Sequence, residues 1–224
     1  MTSREFQDRL LKRVRHASVA ISPETAAGLE IYFRLLEKWN QKINLTGFSL
    51  AEFSPETIDR LLVEPLVAAR HVDPSATRLL DIGSGGGSPA IPMALAIPKI
   101  QLGMVESKTR KSVFLREAAR AVGLEHAMIE ASRYEELLTR PDMHEAYDLV
   151  TMRAVRVETR LLSNIQAFVR PGGSVYLFRG STSADSLGII PLPLSWSATF
   201  SLLEPLRSRL VVLQKRPIGR QRST

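Results

Sequence analysis

The chain has 224 residues, enough to bury one good hydrophobic core, so we predict a single domain with short appendages. Apolar residues make up 44% and charged residues 24%, and no apolar run approaches the roughly 20 residues that cross a bilayer. The absence of cysteine excludes disulfides, zinc-thiolate sites and thiol catalysis. The charged N-terminus has no apolar stretch typical of a secretion signal, so we expect a cytoplasmic protein without a membrane span.

The formal net charge of +7 is concentrated at the two ends of the chain. Residues 1–16 carry five basic and two acidic groups, and residues 204–224 carry six basic groups and one acidic group. Positive charge at both ends of a nearly neutral body suits attraction to a polyanion such as RNA. Solvated basic tails that aid solubility explain the charge equally well.

Helical patterns dominate residues 1–72, which we predict to form a helical extension packed on the main domain. In residues 23–40 large apolar side chains recur at three- and four-residue spacing, after a Ser-Pro pair that suits the start of a helix. A second helix is predicted from about residue 55 to 69, and a basic helix precedes both. This part of the sequence contains no strand pattern.

From Arg78 onward short apolar runs alternate with helical stretches, a pattern typical of a parallel sheet covered by helices in a main domain of residues 73–216. The predicted strands are 78–82, 101–106, 127–131, 147–152 and 173–178, and the predicted helices are 89–96, 109–122, 133–139 and 157–169. Two later apolar stretches, 196–203 and 209–214, could pair as an antiparallel hairpin at the sheet edge. We expect a loop over 181–196 and a basic flexible tail at 217–224.

A glycine-rich segment, Asp81–Ser88, follows the first predicted strand and precedes a helix, the setting in which such a turn binds a ligand. Glycines let a ligand approach the backbone, and the start of the helix supplies unpaired N–H groups. A nicotinamide or flavin site would have a glycine where this chain has Ser88. The order D-x-G-x-G-x-G instead resembles the first motif of class I methyltransferases, which bind S-adenosylmethionine.

A second carboxylate, Glu106, ends the next predicted strand, about where an acid that binds ribose hydroxyls should lie. The alternative interpretation is a tight turn without a ligand. We disfavour it because the strand, the turn and the acid occur in the expected order.

Arg153 ends the fourth predicted strand. In open α/β sheets ligands collect at the carboxyl ends of the strands, so Arg153 is expected to face a cofactor or substrate cleft. The alternative is a surface arginine paired to a nearby carboxylate such as Glu106 or Glu135. The residues alone slightly favour that alternative.

A basic run lies at the start and along one side of the helix predicted at 109–122; it consists of Lys108, Arg110, Lys111, Arg116 and Arg120. The ordinary explanation of such a run is a solvated helix face, and the more specific explanation is contact with phosphate groups. The spacing of the residues does not choose between the two. The four histidines show neither metal-ligand spacing nor a catalytic-triad arrangement. We therefore predict no metal site and no histidine catalysis.

Separate stretches over about residues 29–180 resemble the RsmG family, also called GidB, which methylates a guanine N7 in small-subunit ribosomal RNA. The sequence LEKWNQKINLT at 36–46 is similar to the family's W-N-x-x-x-N-L-T helix end, and DIGSGGGSPAIPMALA at 81–96 is similar to its glycine-rich loop. Further similarities are Glu106-Ser107, Arg110-Lys111, Phe114-Leu115, Arg133-Tyr134-Glu135, Arg153-Ala154, Pro171-Gly172-Gly173 and Arg179-Gly180.

The resemblance implies a class I methyltransferase Rossmann-like fold, an α/β fold with a mostly parallel seven-stranded sheet and helices on both faces. It implies S-adenosylmethionine as cofactor, 16S ribosomal RNA or the small ribosomal subunit as partner, and we expect a monomer. The expected cofactor-binding residues are Asp81, Gly83, Ser84, Gly85, Gly87, Ser88, Glu106, Tyr134, Glu135 and Arg153. Arg153 is also the expected catalytic residue, and Asn44, Arg110, Lys111 and Arg179 are expected to bind RNA.

The sequence departs from the family pattern in two main places. Residues 60–65 read RLLVEP where the family carries R-H-x-x-D-S, so that Glu64 replaces Asp and Pro65 replaces Ser. In the glycine-rich loop Ser88 and Ala90 stand where Phe and Gly are usual. These departures leave open a different RNA or a small-molecule acceptor. A non-catalytic RNA- or ribosome-binding protein with a purely structural glycine-rich turn is the third possibility.

Overall fold

The computed structural model describes residues 1–153, 157–180 and 188–216, and its centre is a seven-stranded sheet. The strands are β1 (Arg78–Ile82), β2 (Gln101–Val105), β3 (Met128–Glu130), β4 (Tyr147–Arg153), β5 (Val169–Arg179), β6 (Leu194–Leu203) and β7 (Ser208–Lys215). Their order is β3-β2-β1-β4-β5-β7-β6; β1 to β5 run parallel, and β7 is antiparallel to both of its neighbours. The predicted mostly parallel sheet with an antiparallel hairpin at its edge is confirmed.

Helices cover the two faces of the sheet. They are α1 (Ser3–His16), α2 (Pro23–Asn40), α3 (Pro55–Ile58), α4 (Glu64–Ala69), α5 (Ala90–Ala96), α6 (Thr109–Ala121), α7 (Tyr134–Leu137) and α8 (Thr159–Ile165). Helix α2 begins as predicted, because Ser22 Oγ accepts the N–H of Thr25 at 3.1 Å and Pro23 occupies the first turn. Helices α7 and α8 are shorter than predicted, and β5 begins at Val169 instead of 173.

The helical run from Pro55 to Ala69 contains a π turn, Asp59–Val63, between α3 and α4. Its last hydrogen bond runs from the N–H of Glu64 to the carbonyl of Asp59, five residues back, where an α-helix would use the carbonyl four residues back. Pro65 follows and has no N–H to donate. The predicted helix is therefore correct in extent, but its hydrogen-bond pattern changes next to a proline.

Two hydrophobic cores lie on the two faces of the sheet. Side chains alternate along each strand, so Leu79 faces one core and Leu80 the other. The N-terminal helices pack into the first core, where Phe6, Phe33 and Phe53 form an aromatic cluster with ring centroids 4.5 to 5.6 Å apart. Residues 1–72 thus share a core with the sheet, and the division into an extension and a main domain stays a prediction.

Three predictions fall partly or wholly outside the described residues. They are the tail at 217–224, the first part of the loop at 181–196, and Ala154 of the Arg-Ala pair. Within the described end of that loop, β6 already begins at Leu194. No helix in the described ranges is both long and apolar enough to cross a membrane.

Candidate cofactor and catalytic site

The glycine-rich segment forms a turn at the carboxyl end of β1. Gly83, Gly85 and Gly87 have φ angles of +75°, +53° and +85°, a region that other residues rarely adopt. A Cβ atom on Gly87 would lie 2.7 Å from Cδ1 of Ile91, so this glycine permits close packing of α5. A Cβ atom on Gly85 would lie 3.8 Å from the nearest atom, the carbonyl oxygen of Gly83. The Gly85 side of the turn therefore faces open space.

Glu106 follows β2 and connects two segments of backbone at the same edge of the sheet. Its Oε2 accepts the N–H of Gly85 at 2.9 Å, and its Oε1 accepts the N–H of Lys108 at 2.8 Å. The residue is only 7% exposed. Since each carboxylate oxygen has two lone pairs, each can accept one further hydrogen bond, as two ribose hydroxyls would require.

A cavity of about 280 Å³ lies at the carboxyl ends of β1, β2 and β3. The residues around it are Ile82, Gly83, Val105, Glu106, Ser107, Ser132, Arg133, Tyr134, Glu135 and Leu161. Four of the expected cofactor-binding residues, Gly83, Glu106, Tyr134 and Glu135, thus meet at one cavity. They meet there because parallel strands bring their carboxyl ends to one edge of the sheet.

Asp81 and Ser84 are buried and do not line this cavity. Asp81 Oδ1 accepts a hydrogen bond from Thr151 Oγ1 at 2.6 Å, which ties β1 to β4. Ser84 Oγ donates to the carbonyl of Asp81 at 3.1 Å and closes the turn. Both residues therefore stabilise the turn through hydrogen bonds, and neither lines the cavity.

Arg153 is paired to a carboxylate, as the alternative interpretation expects, but it is not a surface arginine and its partner is neither of the two that were named. Its side chain is 14% exposed, and its guanidinium lies 4.6 Å from the centre of the Phe178 ring. Its carboxylate partner is Glu64, at 3.0 Å, and neither Glu106 nor Glu135. Arg153 lies at the carboxyl end of β4 as predicted, but in a cluster next to the described cavity wall instead of within it.

Ser88 belongs to the same cluster as Arg153. Its hydroxyl donates to the carbonyl of Leu61 at 2.8 Å and accepts from Nη1 of Arg153 at 3.1 Å. Ser88 therefore connects the last part of the glycine-rich turn to the π turn and to β4. Like Arg153, it does not line the cavity.

The expected RNA-binding residues lie on different elements near the same edge of the sheet. Arg110 is exposed and Lys111 half-buried at the start of α6, which begins three residues after Glu106. Arg179 is half-buried at the carboxyl end of β5. Asn44 is exposed in the loop that follows α2.

The family-like stretch after α2 packs directly on the glycine-rich turn. The Oδ1 atom of Asn40 accepts the N–H groups of Leu45 and Thr46, both at 2.9 Å, and so fixes the loop. A Cβ atom on Gly86 would lie 3.2 Å from the carbonyl oxygen of Leu45, and Tyr32 donates its hydroxyl to the carbonyl of Gly86 at 2.6 Å. Helix α2 and the loop after it thus form a wall that packs against the glycine-rich turn.

Ser132, which the sequence analysis did not single out, lines the cavity between β3 and α7. Its Oγ atom is buried and has no hydrogen-bond partner within the described ranges of the chain. A buried hydroxyl without a partner is costly, so such a group next to a cavity suits a polar ligand. Its position immediately before Arg133-Tyr134-Glu135 is the only sequence signal that could have indicated it.

These features fit the nucleoside of S-adenosylmethionine. Glu106 presents carboxylate oxygens for ribose hydroxyls, Ser132 presents a hydroxyl for a polar nucleoside atom, and Tyr134 adds an aromatic surface. The open Gly85 side of the turn allows close approach to the backbone. The residues present therefore match the cofactor that the sequence predicts.

Replacing Ser132 by alanine tests this assignment. We expect the dissociation constant for S-adenosylmethionine to rise about threefold to tenfold, the effect of losing one ordinary hydrogen bond. The melting temperature should stay the same or rise, because the variant removes a buried polar atom that has no protein partner. Calorimetric titration and thermal unfolding measure the two quantities, and a large fall in melting temperature with unchanged affinity would assign Ser132 to the fold alone.

The buried carboxyl of Asp81 predicts a pH dependence of stability. Burial raises the pKa of Asp81 from its usual 3.8 to about 6, although the hydrogen bonds from Thr151 and Ser84 and the charge of Arg153 act to lower it. Because the folded-state pKa lies above the unfolded value, the folded protein binds more protons between these two values. The contribution of Asp81 to stability is therefore lost as the pH rises through this window.

We expect Asp81→Asn, which cannot ionise, to lack this dependence. The free energy of unfolding of the unmodified chain, relative to the variant, should fall by about 2 kcal/mol between about pH 4 and pH 7, since one pKa unit corresponds to about 1.4 kcal/mol and part of the roughly 2-unit window is already crossed at pH 4. Urea unfolding at the two pH values measures the difference. A difference that does not change with pH would mean that Asp81 is not a buried titrating group.

The fold and the site together define a class I methyltransferase. A parallel sheet of this strand order, an antiparallel last hairpin, a glycine-rich turn after β1 and an acid after β2 are its marks. An S-adenosylmethionine-dependent methyltransferase from Aquifex aeolicus has a similar fold, with a TM-score of 0.54 and 11% identity. The match covers 75% of this chain and 98% of that protein.

The chain belongs to the GidB family, described as rRNA small subunit methyltransferase G, whose model matches residues 25–210. A ribosomal RNA small subunit methyltransferase G from Stenotrophomonas maltophilia (strain K279a) is 34% identical over 182 residues, covering 80% of each chain. Another from Sorangium cellulosum (strain So ce56) is 33% identical over 178 residues, covering 79% of this chain and 73% of that protein. The resemblance found in the sequence is confirmed, and α1 lies outside the matched region.

Proposed function

We propose that this chain transfers the methyl group of S-adenosylmethionine to guanine N7 of 16S ribosomal RNA, acting as a monomer in the cytoplasm. The observation that carries the proposal is the cavity at the sheet edge, where Gly83, Glu106, Ser132 and Tyr134 meet in a chain of the GidB family. The relatives are named for ribosomal RNA as their substrate, and the basic side chains around the cavity agree with a polyanionic acceptor.

The chemistry requires little from titratable side chains. When bound, S-adenosylmethionine supplies a methyl group on a positively charged sulfur. Guanine N7 carries a lone pair, so the N–C bond forms as the C–S bond breaks, the electron pair of that bond goes to sulfur, and no proton leaves the nitrogen. The chain therefore needs to hold donor and acceptor in line, which positioning alone can achieve.

Each part of the site has a positioning task in this reaction. The turn at Gly83 and Gly85 and the carboxylate of Glu106 would fix the nucleoside by its ribose. Arg153, buried beside Ser88 at the end of β4, would stabilise the methionine end or the acceptor through its positive charge.

Exposed basic side chains lie in the wall of the cavity and at the start of the helix that follows Glu106. Lys108 and Arg110 are exposed at the start of α6, and Arg133 is exposed in the cavity wall itself. All three follow the carboxyl ends of strands, so they lie on the side of the sheet where the acceptor must enter. This arrangement favours contact of these basic side chains with RNA phosphates over the alternative of a helix face that is simply solvated.

We expect the double variant Arg110→Glu and Lys111→Glu to weaken binding of small-subunit RNA and to reduce its salt dependence by about one unit of slope for each phosphate that is no longer neutralised. The affinity for S-adenosylmethionine should not change. Lys99→Glu is the matched control, because Lys99 is an exposed basic residue that precedes β2, at the opposite edge of the sheet. RNA affinity at several salt concentrations measures the effect. The double variant changes the net charge twice as much as Lys99→Glu does, so a loss of binding free energy in Lys99→Glu about half that of the double variant would indicate a non-specific charge effect.

The function is tested by methyl transfer itself. The protein is incubated with radiolabelled S-adenosylmethionine and undermethylated small-subunit RNA, and the product is mapped by strand cleavage specific for N7-methylguanine. Label at one guanine N7 supports the proposal. Label elsewhere, or none while the cofactor still binds, would remove the RNA assignment.

A different acceptor is the second candidate, because the residues that depart from the family pattern lie together beside the site. Ser88 and Glu64 both contact Arg153. If these changes alter the choice of substrate, the protein will still bind the cofactor but will not methylate ribosomal RNA. It will instead methylate another RNA or a small molecule. A protein that binds RNA but has no measurable affinity for S-adenosylmethionine would support the third, non-catalytic possibility.

A further inference from the structure

The π turn leaves a backbone carbonyl without a donor from its own helix. In an α-helix the carbonyl of Arg60 would accept the N–H of Glu64, but that N–H donates to Asp59. In a π pattern the carbonyl of Arg60 would accept from residue 65, which is proline and has no N–H. Pro65 also removes the α-helical donor for the carbonyl of Leu61. Two adjacent carbonyls are thus available to other partners.

The two carbonyls are bound by residues of the catalytic edge. Nη1 of Arg153 donates to the carbonyl of Arg60 at 2.6 Å, and the hydroxyl of Ser88 donates to the carbonyl of Leu61 at 2.8 Å. The same Nη1 atom also donates to Ser88 Oγ at 3.1 Å. Ser88, one of the positions at which the sequence departs from the family pattern, is therefore hydrogen-bonded, directly and through Arg153, to the carbonyls that Pro65, another such position, leaves without a helical donor.

A buried carboxylate beside this unit forms ion pairs with two arginines. Glu64 is 0% exposed and lies between two guanidinium groups: Oε1 is 3.0 Å from Nη1 of Arg60, and Oε2 is 3.0 Å from Nη2 of Arg153. Burial lowers the pKa of Arg153, and the negative charge of Glu64 counters this effect. Without that charge two half-buried arginine side chains would lie close together with no negative charge between them.

Arg153 lies beside the glycine-rich turn that borders the cavity. In the sheet Met152 pairs with Ile82, so Arg153 is level with the first glycine of the turn, Gly83, which lines the cavity. Its guanidinium is fixed between the ring of Phe178 on one strand and Glu64 on the helical segment. Any movement of Glu64 would shift the only positive charge that the described part of β4 brings to this edge.

We propose that Glu64 is a positioning residue, which holds the Arg153 guanidinium at the cofactor edge together with the two carbonyls that Pro65 leaves available. The inference rests on the proposed methyl transfer. In this arrangement the N-terminal helical segment supplies part of the active geometry, instead of only covering one face of the sheet.

The first test replaces Glu64 by glutamine, which keeps the shape and removes the charge. We expect kcat for methyl transfer to fall about tenfold or more, because Arg153 is no longer fixed between its partners. Glu30→Gln is the matched control, since Glu30 is another buried glutamate paired to an arginine four residues away, at 2.8 Å from Arg34 on α2. It should lower the melting temperature and leave kcat unchanged.

A double-mutant cycle separates positioning from a structural role. If Glu64 acts through Arg153, Glu64→Gln in an Arg153→Ala background should change kcat no further. Additive losses of kcat would overturn the proposal, as would an unchanged kcat in Glu64→Gln. If the unmodified chain methylates no RNA, the proposed function fails instead, which is a different outcome from an active enzyme that ignores Glu64.

The second variant, Pro65→Ala, keeps the test valid if Glu64→Gln does not fold. Alanine favours the helix and restores an N–H that can donate to the carbonyl of Arg60 or Leu61, in competition with Arg153 and Ser88. We expect the melting temperature to be maintained or raised while kcat falls about threefold or more. A merely structural role for this unit predicts that kcat and stability change together, and a stable Pro65→Ala variant with full kcat would contradict the proposal.

Discussion

Gly85→Val is expected to reduce the affinity for S-adenosylmethionine at least a hundredfold, which is more than about 2.7 kcal/mol of binding free energy at roughly 1.4 kcal/mol per factor of ten. Gly85 has a φ of +53°, a conformation in which a β-branched residue is strained, and the added side chain would extend into the open space beside the cavity. The amide of Gly85 would also move away from Glu106. Calorimetric titration with the cofactor measures the loss.

The matched control for this variant is Gly123→Val. Gly123 also has a positive φ, +77°, and open space around its Cβ position. It follows the C-terminal end of α6, however, and is not one of the residues around the cavity. Both variants should lower the melting temperature by a similar amount because both carry the same kind of strain. Equal cofactor affinity in the two variants would show that the turn is misassigned.

Glu106→Ala is the second change with a large expected effect. A carboxylate that accepts two ribose hydroxyls contributes about 1.5 to 3 kcal/mol for each hydrogen bond, so the dissociation constant should rise about a hundredfold or more. The variant also frees the N–H groups of Gly85 and Lys108, which Glu106 holds at 2.9 and 2.8 Å. Fluorescence or calorimetric titration with S-adenosylmethionine gives the result.

A graded series controls for general damage at this position. Glu106→Gln retains one acceptor oxygen and the side-chain length, so its loss of affinity should lie between those of the unmodified chain and Glu106→Ala. Glu125→Ala removes an exposed glutamate after α6 and should have no effect. If both changes at residue 106 leave the affinity intact, Glu106 holds the loops together and does not bind the ribose.

The elements of the fold were predictable because each depends on local periodicity. The apolar spacing of residues 23–40, with Ser22 and Pro23 at its start, gave α2 with its observed bounds. The alternation from Arg78 onward gave a parallel sheet, and the hairpin of β6 and β7 followed from two short apolar stretches. The π turn at Asp59–Val63 was not predictable, since Pro65 alone does not fix which hydrogen bonds its helix makes.

The site was predictable where it depends on strand ends, and not where it depends on long-range packing. Gly83 and Glu106 end neighbouring parallel strands, and sequence order alone brings them together. The partner of Arg153 was misjudged because Glu64 lies on a helix of another segment, and periodicity does not say how that helix sits on the sheet. Ser132 had only its place before Arg133-Tyr134-Glu135 to indicate it, because one serine after a short strand is common, and its burial is what makes it notable.

The central claim is that the cavity at the carboxyl ends of β1, β2 and β3 holds the nucleoside of the cofactor. A crystal structure of the full chain grown with S-adenosylhomocysteine tests it most directly. The account predicts the ribose within hydrogen-bond distance of Glu106, the backbone of the glycine-rich turn along the ligand, and the Ser132 hydroxyl bonded to it. A saturated crystal with the nucleoside bound elsewhere, or with neighbouring side chains closing residues 83–88, would contradict it.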